Sequence, residues 1–339
     1  MISEIIGDAI VPKRSRLFCP VEKTVPKIFI SLVDYLNNYF TSNDTSKIID
    51  FYEGFDNRDQ LIKWMKERPK GVANIHEVEG DKDIIVVITT ADFNGKYAKE
   101  CRENIFKGSH MVFVESGGRE DFYFNFAHNV NTGIRKASEY EPKWVIISND
   151  DMEKVNSLSE LREELNKIYD TTDKIILAKG KGFHSRLIKI GYRTIFTKFL
   201  KYIGNNATIL KIENAIEGKY GKLIGIDRYY SIHTFFTSSI YKVRNPASFF
   251  ILSRSTLLKF NSELYDETYI NGFEDVDVIL TKFFNNYVFI KYGINDYEGV
   301  GGQSMGRSNS MRFIRDIINK IYSTFKLENG YFKPMRKLR

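Results

Sequence analysis

The 339-residue sequence contains little cysteine, histidine, proline and tryptophan, and it has no long apolar run. Its two cysteines, Cys19 and Cys101, are too few and too far apart for a disulfide framework, so we expect reduced thiols in a cytoplasmic protein. The first residues lack the basic and then apolar order of a signal peptide. No apolar stretch approaches the roughly 20 residues that a membrane-spanning helix needs. The five histidines form no metal-binding signature.

What the sequence does contain is apolar residues and unevenly distributed charge. A hydrophobic fraction of 42% and an aromatic fraction of 14% are enough for one large domain or two smaller ones. The net charge is +7, but residues 174–211 carry nine bases and no acid, and residues 312–339 carry net +6. The rest of the chain is therefore net −8. This pattern predicts an acidic site beside basic docking segments, and it disfavours nucleic acid as the partner.

From residue 83 the chain alternates between strand-like and helix-like patterns. Strands are predicted at 84–90, 111–115 and 144–148, with helices at 95–106 and 124–138 between them. This order predicts an α/β domain with a mostly parallel sheet flanked by helices. Ligands bind such sheets at the carboxyl ends of the strands. The polar residues predicted at those ends are Thr89, Thr90, Glu115, Asn149, Asp150 and Asp151.

The sequence Asn149-Asp150-Asp151 places two adjacent carboxylates at the end of a buried strand. Two such groups repel each other unless a cation lies between them. A divalent ion that is bound by one or two carboxylates and completed by substrate phosphates relieves that repulsion. The alternative is a polar turn in which an aspartate caps the next helix.

A second acidic cluster follows a strand predicted at 249–252. Asp266 and Glu267 lie in a loop, and an apolar helix predicted at 278–284 is opened by three more acids, Glu274, Asp275 and Asp277. Acids in the first turn of a helix are favoured by the helix dipole. Five acids within twelve residues exceed what capping needs, so this cluster is a candidate for a general base that acts on an alcohol.

Three motifs in order now resemble a known family: FAHNVNTGI at 126–134, WVIISNDD at 144–151 and GFEDVD at 272–277. They are similar to the "N-x-G-I" helix, the DXD-type strand end and the "E-D-x-D" helix of the GT-A fold glycosyltransferases of family 2. The resemblance covers about residues 83–304. It implies a GT-A, Rossmann-like and mostly parallel sheet, and the transfer of a sugar with inversion.

The resemblance also implies roles for individual residues. Asp151 would bind a divalent metal, Mn or Mg, on the diphosphate of the sugar donor, with Asn149 or Asp150 towards the ribose. Glu115 would contact the nucleotide base in a pocket that Thr89 and Thr90 line. Asn131 belongs to the motif helix and joins the predicted cofactor-binding residues. Asp275 would be the catalytic base, supported by Glu274 and Asp277.

The chain departs from the family pattern at two places. The turn Gly301-Gly302-Gln303-Ser304 is present, but the histidine expected before it is absent, which leaves Glu298 as an alternative metal ligand. The link from Glu115 to Asn131 is short for the family. An early helix and strand are therefore missing or supplied by the N-terminal region.

Two basic segments, 186–203 and 311–339, have amphipathic helical patterns. Such helices indicate contact with an anionic membrane surface, and the alternative is ordinary helices that face the core. Arg307 or nearby bases are an alternative set of contacts for the donor pyrophosphate. The sequence predicts an accessory region at 1–82, a catalytic domain at 83–310 and a basic tail at 311–339.

The predicted function is a metal-dependent glycosyltransferase that uses a nucleotide-sugar donor and an acceptor hydroxyl on a glycan or a lipid-linked carrier. Its predicted location is the cytoplasm, with peripheral contact at the inner face of the membrane. Two alternatives remain open at this point. One is a non-catalytic module that binds anionic membrane or nucleic acid, and the other is a nucleotidyltransferase on a similar sheet.

Overall fold

A computed structural model describes residues 51, 54–118, 121, 123–169, 173–181, 187–190, 241–244, 246, 248–297, 318–319, 321–323, 325–326 and 329–331. The helices are α1 (Arg58–Glu67), α2 (Lys96–Glu100), α3 (Phe126–Ser138), α4 (Leu158–Asn166), α5 (Arg254–Lys259) and α6 (Glu274–Thr281), and a π-helical turn at Cys101–Ile105 continues α2. The strands are β1 (Asn74–Val78), β2 (Asp81–Thr90), β3 (Ser109–Glu115), β4 (Trp144–Asn149), β5 (Met152–Lys154), β6 (Ile175–Lys179), β7 (Leu187–Ile190), β8 (Tyr241–Arg244), β9 (Phe249–Ser253) and β10 (Tyr287–Asp296).

Eight of these strands form one mixed sheet in the order β1-β3-β2-β4-β9-β6-β10-β5. Neighbouring strands are parallel in β3-β2-β4 and in β6-β10, and they are antiparallel at the other four contacts. The sheet is mostly antiparallel and curls into a half-barrel, with few helices among the described residues. The prediction of a mostly parallel, Rossmann-like GT-A sheet is therefore wrong.

The main reason for the error is β9, which lies antiparallel between β4 and β6. Its residues, Phe249 to Ser253, are all buried. A continuous apolar run indicates that a strand is buried on both faces, but it does not indicate the direction in which the strand runs. Strand β1 adds a further antiparallel neighbour at the edge of β3. The strand beside β3 thus comes from the N-terminal side of the chain, and β2 begins at Asp81, so the sheet crosses the predicted boundary at residue 82.

Apolar side chains cover both faces of the sheet. Ile85 and Val87 of β2 face a core that contains α3 and α6, whereas Ile84, Val86 and Ile88 face a second core that contains α4 and the π-helical turn. These two sets alternate along one strand because successive side chains point to opposite faces.

Helix α3 lies very close to the sheet at Gly133. A Cβ atom at this position would lie 2.3 Å from Cγ1 of Val87 and 2.9 Å from Cγ2 of Val114, which real contacts essentially never allow. The glycine of the N-x-G-I motif therefore permits close packing of helix on strand. This is a structural role for the motif.

The structure confirms several predicted elements. Strands β2, β3 and β4 and helix α3 lie where the sequence predicts them. Helix α1 begins after Asn57, whose side chain accepts a hydrogen bond from the Gln60 amide. Helix α6 ends at Thr281, earlier than predicted.

The basic helix predicted at 186–203 begins instead as a strand. Residues Leu187–Ile190 form β7, which pairs with β8 in antiparallel register. The sequence LIKI fits the two-residue alternation of a strand as well as it fits a helical face. The other predictions in this region lie outside the described residues, as do those for Glu298, Arg307 and the turn at 301–304.

The described residues from 318 to 331, here called the C-terminal segment, are helical at 318–319, 321–323 and 325–326. The apolar residues Ile318, Ile321 and Tyr322 are buried against the protein. In this part of the predicted tail, the core-facing alternative fits better than a membrane-facing one. Within the described ranges, no helix is both long and apolar enough to span a membrane.

Candidate active site

Three parallel strands, β3, β2 and β4, end side by side and bring the predicted polar residues together. Thr90 is opposite Glu115 in the β2–β3 register, and Thr89 is opposite Asn149 in the β2–β4 register. Because the strands are parallel, their carboxyl ends meet at one edge of the sheet. We call the residues Thr89, Thr90, Glu115, Asn149, Asp150 and Asp151 the strand-end site.

Asp150 is bonded to β2 and to the π-helical turn, and its carboxyl group has a raised pKa. Thr90 Oγ1 donates a hydrogen bond of 2.6 Å to its Oδ2, and the Cys101 thiol donates to its backbone carbonyl at 3.4 Å. Burial raises the pKa of Asp150 to about 6, and the adjacent Asp151 adds to the increase although the Thr90 hydrogen bond opposes it. Its carboxylate is therefore costly to keep charged at neutral pH.

The neighbours of Asp150 are held by the ends of other strands. Thr89 Oγ1 donates to Asn149 Oδ1 at 3.4 Å. The Asp151 carbonyl accepts from the Tyr297 amide at 2.9 Å, just after β10. These contacts fix the backbone around the two aspartates.

A cation and two aromatic rings also lie near the strand-end site. The ring centroids of Tyr97 and Tyr297 are 5.8 Å apart, and Lys96 Nζ lies 5.6 Å and 5.9 Å from them. None of these three residues was among those predicted from the sequence. Lys96 follows the first central strand at the start of α2, but no motif distinguished it from other surface lysines.

The oxygen donors of the strand-end site fit a divalent metal. Among the described residues, no three His, Cys, Asp or Glu side chains converge on one point. Mg²⁺ is commonly held by only one or two carboxylates, with substrate phosphates and water as the other ligands. Asp150 and Asp151 supply two adjacent carboxyl groups, and the raised pKa of Asp150 shows that its anion lacks full compensation within the protein.

Glu115 is already engaged by the protein. Its Oε1 accepts from the Phe93 amide at 2.8 Å, and its Oε2 lies 2.9 Å from His76 Nε2. Burial raises the pKa of Glu115, but these two hydrogen bonds outweigh it and the net pKa is lowered. The Phe93 ring stacks on His76 with centroids 4.3 Å apart, and the Arg102 guanidinium lies 4.4 Å from that ring. In this structure Glu115 fixes the turn after β2.

The second acidic cluster begins at an unusual backbone turn. Phe273, immediately before α6, has φ of 74°, a left-handed conformation that is rare for a bulky residue. Glu274 is buried, and its Oε2 accepts from the Gly272 amide at 2.5 Å. Asp275 is partly exposed, and its Oδ1 accepts from the Val276 amide at 2.8 Å.

The start of α6 lies on the same face of the sheet as α3. Burial is the main cause that raises the pKa of the Tyr265 phenol, and the charges of Asp275 and Glu274 raise it further. The Tyr265 ring contacts Phe250 in β9, the strand beside β4, with centroids 6.4 Å apart. Glu274 and Asp275 therefore lie near Tyr265, whose ring packs on β9 in the middle of the sheet.

Residues 264–272, here called the 264–272 loop, lead into this turn and are held by buried side chains. Asn131 accepts from the amides of Leu264 and Tyr265 and donates to the Tyr265 carbonyl at 2.9 Å. Asn125 donates to the carbonyls of Glu267 and Tyr269. The buried Asn131 predicted to bind the cofactor thus contacts this loop in the structure. Asn125 was not among the predicted residues, although an asparagine at a helix cap is a recognisable signal.

Two acids of the cluster share a buried lysine from the C-terminal segment. Lys326 Nζ lies 3.0 Å from Asp266 Oδ2 and 2.7 Å from Asp277 Oδ1. Two phenol hydroxyls also bind these acids: Tyr322 donates to Asp266 at 2.7 Å, and Tyr269 donates to Asp277 at 2.9 Å. Burial raises the pKa of both acids. In Asp266 the attraction of Lys326, together with hydrogen bonds from Tyr322 and Thr268, outweighs burial and lowers the net pKa, whereas in Asp277 the net pKa remains raised.

Glu267, the third acid in the loop region, is also compensated. His128 Nδ1 lies 2.8 Å from its Oε2, Asn131 donates to its Oε1 at 3.0 Å, and Arg135 lies 3.6 Å away. Burial alone would raise the pKa of Glu267, but the His128 and Asn131 hydrogen bonds lower it to about 2. Of the five acids in the cluster, Asp266, Glu267 and Asp277 thus stabilise the loop, and Glu274 and Asp275 lie at the start of α6.

Comparison with known proteins adds no assignment to this geometry. No protein-family model matches the chain, and a search among curated proteins finds no significant match.

Proposed function

We propose that the protein is a metal-dependent glycosyltransferase that moves a sugar, with inversion, from a nucleotide-sugar donor to an acceptor hydroxyl. The observation that carries this proposal is the meeting of Thr90, Asp150 and Asp151 at the carboxyl ends of adjacent parallel strands. There a partly buried carboxyl group has a pKa raised to about 6. A carboxyl pair of this kind is suited to a divalent cation that accompanies a diphosphate.

The metal, Mn or Mg, would be held by Asp151 with Asp150, and when bound it would supply charge neutralisation to the departing nucleoside diphosphate. Thr90 orients the Asp150 carboxyl group. Asn149 and Thr89 are proposed to face the ribose. Because Glu115 is already bonded to the Phe93 amide, we propose that it shapes the base pocket by holding that turn.

Asp275 is the proposed general base. It takes the proton of the acceptor hydroxyl as the new bond forms between that oxygen and the anomeric carbon, and the bond from this carbon to the diphosphate oxygen breaks. Glu274 supports this role because its carboxylate caps Gly272 and fixes the first turn of α6. The partial exposure of Asp275 leaves it accessible to an acceptor.

The proposed partners are the nucleotide-sugar donor and a glycan or lipid-linked acceptor in the cytoplasm, with no role for nucleic acid. Membrane contact through residues 186–203 and 311–339 has less support than the transfer itself. Ile318, Ile321 and Tyr322 are buried, and residues 187–190 are a strand.

Two variants and one control test the proposal. Asp151→Asn should abolish the metal-dependent binding of the nucleotide sugar. Asp275→Asn should keep that binding and lower kcat by about 100- to 10,000-fold, the usual contribution of a general base. Asp59→Asn is the matched control because Asp59 is also an acid in the first turn of a helix.

The assay uses purified protein, Mn²⁺ or Mg²⁺ and a panel of nucleotide sugars, with analysis of the products. Normal transfer by Asp275→Asn contradicts the assignment of the base. Transfer of the nucleotide instead of the sugar indicates a nucleotidyltransferase. Salt-sensitive binding to anionic membranes that needs neither Asp151 nor Asp275 indicates a non-catalytic module.

A further inference from the structure

The C-terminal segment contacts the 264–272 loop through three side chains that the proposed reaction does not use. Asn319 is buried, accepts from the Ile270 amide at 2.8 Å, and donates to the carbonyls of Ile270 at 2.9 Å and Gly272 at 2.8 Å. One asparagine thus satisfies three backbone groups within the last residues before α6. Such a contact fixes the backbone of the loop more firmly than a single hydrogen bond does.

The other two contacts are charged or phenolic. Tyr322 and Lys326 both bind the Asp266 carboxylate, and Lys326 also binds Asp277 in the first turns of α6. Lys326 therefore connects the start of the loop to the helix that carries Asp275. Removing a buried cation of this kind leaves two buried carboxylates without compensation.

The loop ends in a conformation that has to be maintained by its surroundings. Asn271 and Phe273 both have positive φ, 46° and 74°, on either side of the Gly272 carbonyl that Asn319 binds. Residues in such conformations persist only where the surrounding structure fixes them, and they are concentrated at functional sites. Glu274 and Asp275 follow directly, so their position depends on this turn.

We propose that Asn319 and Lys326 are positioning residues, which hold the turn at residues 270–273 so that Asp275 is in place to act on the acceptor. This inference rests on the proposed function, because it assumes that Asp275 is the base. It assigns to the C-terminal segment a part in the turnover step. Neither residue is placed against the sugar donor or the metal.

The test compares Asn319→Ala and Lys326→Met with the wild type and with Asn329→Ala. Asn329 is the matched control because it is an exposed asparagine of the same segment whose amide donates only to the local Phe325 carbonyl among the bonds described for it. We expect kcat to fall about tenfold to a hundredfold in both variants, the loss that a small misplacement of a reacting group causes. The KM for the nucleotide sugar should stay within about threefold, because binding of the sugar donor is not altered.

Two further measurements separate positioning from general stability. Lys326→Arg should restore most of kcat because it keeps the charge. Hydrogen exchange should become faster at the amides of residues 264–272 in Asn319→Ala and Lys326→Met, by a larger factor than at the amides of β2. Should Lys326→Met fail to fold, Asn319→Ala, which removes no charge, carries the test.

A kcat within about threefold of the wild type in folded Asn319→Ala overturns the proposal. So does an equal loss of kcat and of donor binding, since this would indicate general damage. If the wild type transfers sugar from no member of the donor panel, the proposed function itself fails. In that case the exchange measurement still decides whether the segment fixes the loop, and unchanged exchange overturns that part as well.

Discussion

The strand-end site and the 264–272 loop both bury carboxyl groups, but the protein treats the two sets differently. Asp150 accepts a hydrogen bond from the neutral hydroxyl of Thr90, and its pKa is raised to about 6. Glu267 is paired with His128 and Arg135, and its pKa is lowered to about 2. Burial raises the pKa of both groups and affects Asp150 more, but only Glu267 has hydrogen bonds and basic neighbours that reverse the shift. Carboxylates that lie against a basic side chain of the chain are structural, and a buried carboxylate whose described side-chain partner is neutral suits a cation from outside.

The largest expected effect on stability comes from removing the lysine that neutralises the loop carboxylates. Lys326→Met leaves Asp266 and Asp277 buried without their cation, and it should lower the free energy of unfolding by about 3–5 kcal/mol. Urea denaturation at pH 7 measures this change.

A triple variant is the control for the stability loss of Lys326→Met. Adding Asp266→Asn and Asp277→Asn to Lys326→Met removes the uncompensated charges and should recover part of the lost stability. A loss below about 1 kcal/mol in the single variant, the range of exposed ion pairs, would contradict the view that this lysine is structural.

Asp150→Asn should raise the free energy of unfolding, whereas Lys326→Met lowers it. Because its folded-state pKa is raised from 3.8 to about 6, the stability contributed by the protonated carboxyl is present below pH 4 and is lost as the pH rises through about 6. The neutral amide avoids this loss, so the variant should be more stable than the wild type by about 2 kcal/mol at pH 7.5. Urea denaturation without metal at pH 5 and pH 7.5 measures the difference.

With metal present the ranking should reverse, since the wild type alone keeps both carboxylates. An advantage of Asp150→Asn that is equal at both pH values, or that persists in saturating Mg²⁺, would show that Asp150 does not differ from the loop carboxylates in the way described.

Among these variants, Glu267→Gln should give the smallest change in the free energy of unfolding. The pKa of Glu267 is lowered from 4.5 to about 2, so its stabilisation is present above pH 4.5 and is lost as the pH falls through about 2. Because the side chain is a quarter exposed, we expect a loss of only about 1 kcal/mol at pH 7. Thermal unfolding should show the full loss at pH 7 and a smaller loss at pH 2.5. Glu163→Gln, an exposed position on α4, should change neither value.

Strands β2, β3 and β4 were predictable because each is a continuous apolar run that ends in polar residues. Their parallel pairing follows from the helices between them, and that pairing places Thr90, Glu115 and Asn149 at one edge. Local patterns contain all of this information. The Asn57 cap of α1 is a local signal of the same kind.

The features of the fold and of the site that the sequence did not predict depend on partners that are distant in the sequence. Nothing in the run at 249–253 indicates that β9 lies antiparallel to β4. Nothing near Asp277 indicates that its cation is Lys326, 49 residues later. Asn131 shows why a motif does not fix a role, since its amide satisfies the backbone of a loop that begins at residue 264. Sequence patterns report polarity and burial, whereas the identity of the contacting group is decided in three dimensions.

The position of β9 has a consequence for how the chain folds. Strand β4 pairs on one side with β2 and on the other with β9, which is synthesised about a hundred residues later. Until β9 arrives, β4 has an unpaired edge, and such edges recruit other chains. Contacts of long sequence separation also slow folding, because loop closure comes before the pairing that compensates for it. We therefore expect the β2-β3-β4 unit to form first and the insertion of β9 to limit the rate. The nascent protein is then most prone to aggregation in the interval between these two steps.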